Sequence, residues 1–117
     1  AYSPMQAGLL TGKFTRERAL ALPDSDWRSR HPFFTEPQLS INLETIDRLN
    51  QVAIEENVSL SQLSLAWVLR NKEMTSAIVG ARNPAQIEET SKAGELTLTR
   101  ANIEAIEKIL EWRIKNI

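Results

Sequence analysis

The residues able to hold a charged ligand fall in two short stretches. In the first, Val79-Gly80-Ala81-Arg82-Asn83-Pro84-Ala85-Gln86-Ile87-Glu88-Glu89-Thr90, a β-favouring run turns into a helix. Backbone N–H groups at a strand end and the positive end of the following helix favour an anion, and Arg82 adds a planar guanidinium suited to phosphate. Gln86 and Glu89 lie three residues apart near one helical face, with Thr90 beside them. A ligand carrying a phosphate and a polar ring would fit such a surface. On spacing alone, an ordinary turn with a solvated arginine is the stronger reading, because arginine is common in loops.

The second stretch is Gly8-Leu9-Leu10-Thr11-Gly12-Lys13. A phosphate-cradling P-loop has four residues between its glycines and a Ser or Thr after its lysine. Here three residues separate the glycines and Phe14 follows Lys13, so the comparison fails. A glycine-bordered loop with a basic end could still touch a phosphate, but a structural turn accounts for it at least as well.

Other chemistries find little support. His31 is the only histidine and sits in the proline-rich PDSDWRSRHPFFTEPQ, where a loop-packing or solvated role is favoured over a metal site or a nucleophile's base. Tyr2 is the only tyrosine and has no neighbouring Lys or His to lower its pKa for proton donation. Trp67 and Trp112 fall in helical segments and read as core. With no cysteine, disulfides, thiolate nucleophiles and cysteine-ligated zinc are excluded, and a reducing compartment, the cytoplasm, is expected. Fourteen basic against fifteen acidic residues leave no broad basic surface for nucleic acid or an anionic membrane. No signal-peptide pattern is present, and no apolar run approaches the roughly 20 residues of a membrane span.

The elements that must position these residues follow from periodicity and punctuation. Residues 1–13 read as a loop with one short turn, and residues 23–38 as a second irregular stretch broken by Pro23, Pro32 and Pro37. Trp27, Phe33 and Phe34 in that stretch imply that it packs on something or covers a site. Leu43, Ile46, Leu49, Val52 and Ala53 mark a helix from about 41 to 57. Ser59 and Gln62 have capping-box form, opening a more buried helix that presents Leu63, Ala66 and Trp67 and ends near Asn71. Residues 75–80 form the one convincing strand. Asn83-Pro84 opens a helix over 84–93 that Gly94 closes, and Thr99 caps a helix over 100–114 with Ile103, Ile106, Leu110 and Ile114 on one face.

A lone strand cannot make a sheet. A strand running through glycine into a capped helix is the βα unit of a parallel sheet, so the rest of that sheet is expected upstream. The length of 117 residues is short for a complete α/β enzyme, and the start on Ala1-Tyr2-Ser3-Pro4 without an initiator Met hints at a piece of a longer protein, a cleaved Met before Ala1 being the alternative.

Taken together, AYSPMQAGLLTGK, LSLAWVLRN and SAIVGARNPAQIEET resemble the aldo-keto reductases, NAD(P)H-dependent oxidoreductases built on a (β/α)8 TIM barrel. The resemblance covers essentially the whole chain and implies an α/β fold, the C-terminal part of that barrel, mostly helical when isolated. The first motif is similar to the loop after barrel strand seven, and the last to strand eight with its cofactor helix. The resemblance implies that Tyr2 stacks on a nicotinamide ring and that Ser3, Met5, Gly8 and Lys13 approach the pyrophosphate, with Arg28 helping to hold the cofactor. Gly80, Arg82 and Gln86 would surround the adenosine ribose and its 2′-phosphate, with Glu89 and Thr90 at the adenine. Thr90 stands where members often carry Asn, and a hydroxyl cannot offer an amide's paired donor and acceptor. Arg82 opposite a 2′-phosphate favours NADP over NAD.

The family's proton-donating Tyr and its Lys, Asp and His partners have no matching motif here, so a cofactor-binding portion of an NADP-dependent reductase of small aldehydes or ketones is expected, inactive alone. Apolar faces left by the absent strands would favour self-association. The alternative is a non-enzymatic binding or regulatory module that keeps the same scaffold.

Overall fold

A computed structural model describes residues 1–117, and the architecture is helical throughout. Five α-helices follow one another: α1 (Arg16–Leu20), α2 (Gln38–Glu55), α3 (Leu60–Leu69), α4 (Pro84–Ser91) and α5 (Arg100–Asn116). Short 3-10 turns lie at Gln6–Thr11, Trp27–Arg30, Pro32–Phe34 and Lys92–Glu95. No helix is long and apolar enough to cross a membrane.

α2 begins three residues earlier than its apolar period suggests. The Glu36 carboxylate accepts from the Ser40 N–H at 3.2 Å, giving one of the helix's unpaired first-turn amides a partner. At its other end Asn57 takes a left-handed φ of 55°, and the N–H groups of Asn57 and Val58 bond back to the carbonyls of Ile54 and Ala53. That reverse turn is a Schellman motif with asparagine in the position glycine usually holds. Two residues later α3 opens on the complete Ser59/Gln62 capping box. α5 opens on another, with Thr99 and Asn102 as partners. α4 starts as its sequence implies, Asn83 accepting from the Gln86 N–H with Pro84 at the first turn.

The core lies where α2, α3 and α5 meet. Leu39, Ile46, Leu49, Val52 and Ala53 from α2, Leu60 and Leu63 from α3 and Ile106 from α5 form one buried cluster with Leu9, Phe14 and Phe34. Two of the three loop aromatics pack: Phe34 is buried, its ring meeting Phe14 edge-on at 5.0 Å, and Phe33 is partly buried against the core, whereas Trp27 stays 58 % exposed; His31 lies among the three rings. His31 Nδ1 accepts from the Phe33 N–H, so the imidazole serves the loop's own turn.

The expected apolar face of α5 is corrected at its end. Ile106, Ile109 and Leu110 face the core, but Ile114 is 68 % exposed. From Leu110 the inward position falls on Arg113, whose Nε donates to Asn42 Oδ1 at 2.8 Å, while Asn42 Nδ2 donates to the Phe33 carbonyl at 2.9 Å. Asn42 is 1 % exposed, and this polar node joins α5, α2 and the aromatic loop. Gly94 is also corrected: it has no positive φ, and α4 ends by tightening into the Lys92–Glu95 turn.

Residues 75–80, expected as a strand, form none. One rung of pairing is present: Ala1 N donates to the Ser76 carbonyl at 2.7 Å and Ile78 N donates to the Ala1 carbonyl at 2.8 Å. Two bonds flanking Ala77 in this way follow the parallel pattern. A ladder needs more than one rung, so the segment runs beside the first residue without becoming a sheet.

Candidate functional site

The first residues and the 78–82 segment face one another across a cleft of about 710 Å³. One wall is the 2–13 loop, contributing Tyr2, Ser3, Met5, Gly8 and Lys13. The opposite wall is the segment leading into α4, with Gly80, Arg82, Gln86, Glu89 and Thr90, and Arg28 closes one side. The structure thus brings all of the residues singled out in the sequence to one cavity, although they are as much as 88 positions apart (90 − 2).

The 2–13 wall is conformationally strained. Ser3, Gln6 and Ala7 have φ of 50°, 47° and 53°, a left-handed geometry that costs an L-residue roughly 1–2 kcal/mol each. Gly8 and Gly12, at 93° and 71°, adopt it without that penalty. The bends are fastened by the Gly8 N–H on the Met5 carbonyl, by Thr11 Oγ1 donating to the Gly8 carbonyl at 2.7 Å, and by the Lys13 N–H donating to that same hydroxyl. Strain of this kind persists where the surroundings over-determine it, and it concentrates at binding sites.

On the opposite wall the anion-binding amides are fewer than a bare strand end suggests. The Arg82 N–H donates to Gln86 Oε1 at 2.7 Å and the Gln86 N–H donates to Asn83 Oδ1 at 3.0 Å. Gln86 therefore braces the turn with its oxygen and keeps its Nε2 donors toward other partners. Thr90 lines the cleft, but its hydroxyl proton already bonds the Gln86 carbonyl at 2.8 Å, one turn back along its own helix.

Arg28 is held before any ligand arrives. Its Nη2 and Nε reach the two Asp26 carboxylate oxygens at 2.6 and 3.0 Å, and Nη1 donates to the Ala7 carbonyl at 3.2 Å, tying the 26–31 turn to the strained loop. The guanidinium hydrogen bonds, followed by the Arg28 backbone N–H, pull the Asp26 carboxyl down to about 2, and the same hydrogen bonding raises Arg28.

Four cations line the cleft, Lys13, Arg18, Arg28 and Arg82, against one carboxylate, Glu89. Only Arg28 is in an ion pair. A groove with three cations outside any ion pair and a single carboxylate, in a chain of net charge -1, is chemically matched to an elongated anion. Arg18 and Ser61 were not singled out by sequence. Thr15, which accepts from the Arg18 N–H, is the signal that sets Arg18 in the first turn of α1; the Ser59 cap likewise sets Ser61 in the first turn of α3.

A second cavity of about 430 Å³ lies on the other side of residues 1–4, between α2, α3 and α5, and its lining is mainly apolar. It holds none of the free cations of the first cleft, and Arg113 there is committed to Asn42. No group of three or more His, Asp and Glu side chains is arranged to hold a metal ion.

Comparison with known proteins bears on this site. The model of the aldo/keto reductase family matches residues 1–111. The aldo-keto reductase YhdN of Bacillus subtilis is 32 % identical over 116 residues, 98 % of this chain and 34 % of the relative. The aldo-keto reductase yakc [NADP(+)] of Schizosaccharomyces pombe is 29 % identical over 90 % of this chain and 30 % of its own length. A putative voltage-gated potassium channel subunit beta of the same yeast is 30 % identical over 95 % and 33 %. Among solved structures, the glycerol dehydrogenase AKR11B4 of Gluconobacter oxydans superposes with a TM-score of 0.86 at 30 % identity, over 97 % of this chain and 34 % of that one. The chain spans about a third of the length of these relatives. Its helices, with a single rung of parallel pairing, are the C-terminal part of a (β/α)8 barrel, and the chain belongs to the aldo/keto reductase family.

Proposed function

We propose that this chain forms much of the NADP(H) site of an oxidoreductase that reduces small aldehydes or ketones, and that it is catalytically incomplete alone. The observation that carries this reading is the cleft itself, where a strained, glycine-bordered loop and a capped helix start present three unpaired cations to one space. Its volume lies within the range of small-molecule and cofactor sites. NADPH, when bound, supplies the hydride. The exposed Tyr2 ring offers an apolar face for the nicotinamide, and Ser3, Met5, Gly8 and Lys13 line the wall suited to the pyrophosphate. Arg28, oriented by Asp26, closes over that wall. Gly80, Arg82 and Gln86 suit the adenosine ribose and its 2′-phosphate, while Glu89 and Thr90 stand for the adenine end. Because the Thr90 hydroxyl proton bonds its own helix, its role there is that of an acceptor.

Arg82→Ala in the full-length protein tests this reading. Loss of one charge-assisted phosphate contact is expected to weaken NADPH by about 1.5–3 kcal/mol while leaving NADH nearly unchanged. Equal affinities of wild type and variant for NADPH, by fluorescence titration, would remove Arg82 from the site. The cytoplasm fits a chain without cysteine.

The potassium-channel β-subunit name among the relatives favours keeping a second reading, a binding or regulatory module on the same scaffold. Carbonyl reduction by the full-length protein at the expense of NADPH separates the two. For the isolated chain, the apolar cavity beside α2, α3 and α5 and the exposed Tyr2 and Ile78 side chains support self-association. A compact monomer on gel filtration would oppose it.

A further inference from the structure

α4 carries Gln86, Glu89 and Thr90 into the cleft, yet it has no fully buried residue of its own, and its large apolar side chain, Ile87, is 58 % exposed. A helix with so little burial needs some other restraint if its polar side chains are to hold a fixed position. The hydrogen bonds of Arg82, Gln86, Thr90 and Ser91 all close within residues 81–91. One hydrogen bond joins residues 79–98 to any residue outside them: Gln62 Nε2 donates to the Glu89 carbonyl at 2.8 Å, across 27 positions. That carbonyl lies in the last turn of α4, where helix geometry leaves acceptors without an intrahelical donor.

Gln62 is fixed at its other end. Its backbone N–H donates to Ser59 Oγ at 3.1 Å and its Oε1 accepts from the Ser59 N–H at 3.0 Å, so the amide plane is set by the capping box of α3. The cap leaves the NH2 group directed away from Ser59, and α4 occupies that direction. One side chain thus starts the buried helix and holds the exposed one.

We propose that Gln62 is a positioning residue for the cleft: through the Glu89 carbonyl it sets where α4 stands and thereby the affinity of the site for its nucleotide. The nucleotide part rests on the NADP(H) reading above. Gln62→Glu separates the two jobs. A carboxylate keeps the acceptor of the capping box, in the Ser-x-x-Glu form, but sets an oxygen against the Glu89 carbonyl where a donor is needed.

In the full-length protein with Gln62→Glu, amide hydrogen exchange at Ile87–Ser91 is expected to speed about fivefold to tenfold, while the Leu63–Leu69 amides and the thermal midpoint stay as in wild type. The Kd for NADPH should rise by a similar factor. Gln62→Ala, which loses both jobs, should speed exchange in both helices. Unchanged exchange at Ile87–Ser91 in Gln62→Glu overturns the proposal, and so does faster exchange with unaltered NADPH affinity. If the wild-type protein itself fails to bind NADPH, the NADP(H) reading falls, and the exchange arm still decides whether Gln62 holds α4.

Discussion

The α2–α3–α5 core and the cleft beside it are built from the same short chain under opposite rules. In the core, α3 and α5 open on capping boxes, Leu63 and Ala53 are 1 % and 0 % exposed, and the buried Asn42 has both ends of its amide paired. In the cleft, Ser3 and Ala7 hold left-handed backbone, Tyr2 and Ile78 are 85 % and 70 % exposed, and three cations are in no ion pair. Burial and satisfied hydrogen bonds hold the first region together. The second keeps exposed surface, local strain and uncompensated charge, features that gain their compensation from what binds there.

The sharpest way to test that division is to injure the core. Leu63→Ala removes a nearly inaccessible side chain and is expected to cost about 2–5 kcal/mol in urea unfolding. Arg82→Ala, on the exposed cleft wall, should move the same midpoint by less than about 0.5 kcal/mol while weakening NADPH. A Leu63→Ala loss no larger than that of Arg82→Ala would erase the distinction between scaffold and site.

A smaller effect with the opposite sign is expected within the cleft. Ala7 sits at φ 53°, so Ala7→Gly relieves left-handed strain and, after the added entropy of the unfolded chain is subtracted, should stabilise by about 0.5–1 kcal/mol. The same change at Ala53, fully buried in the last turn of α2, should destabilise. If Ala7→Gly lowers the midpoint, the loop is not strained as its backbone angles indicate.

The last effect is electrostatic and is read through its pH dependence. The Asp26 carboxyl is lowered in the folded chain to about 2, from an unfolded value of about 4. A depressed carboxylate stabilises the fold fully above its unfolded pKa, and that contribution is lost as the pH falls through the folded value. The difference in unfolding midpoint between wild type and Asp26→Asn should therefore hold steady near neutrality and shrink between about pH 4 and pH 2. A difference independent of pH over that window would mean that the Arg28 pair contributes nothing to the fold.

Much of the core was legible in the residue order because its signals are local. The Ser59/Gln62 box, the Thr99 cap and the Asn83-Pro84 helix start each act over three residues, a distance at which side chain and backbone meet whatever the rest of the fold does. The spacing of Leu49, Val52 and Ala53 likewise marks one face of a helix. Periodicity misled where a polar side chain took an inward position, as Arg113 does in place of Ile114, because a 3.6-residue period does not reveal an amide such as Asn42 waiting across the core.

For the cleft, the sequence determined the kinds of residue available and the resemblance that grouped them: a glycine-bordered loop ending on Lys13, and Arg82 at the entry to a capped helix. The tertiary structure decided the rest. Packing placed the 2–13 loop opposite residues 78–90, added Arg18 and Ser61 to the lining, brought Arg28 onto the Ala7 carbonyl, and let one amide of α3 reach α4. Those decisions depend on contacts across tens of residues, set by which helical faces bury one another, and local spacing carries no record of them.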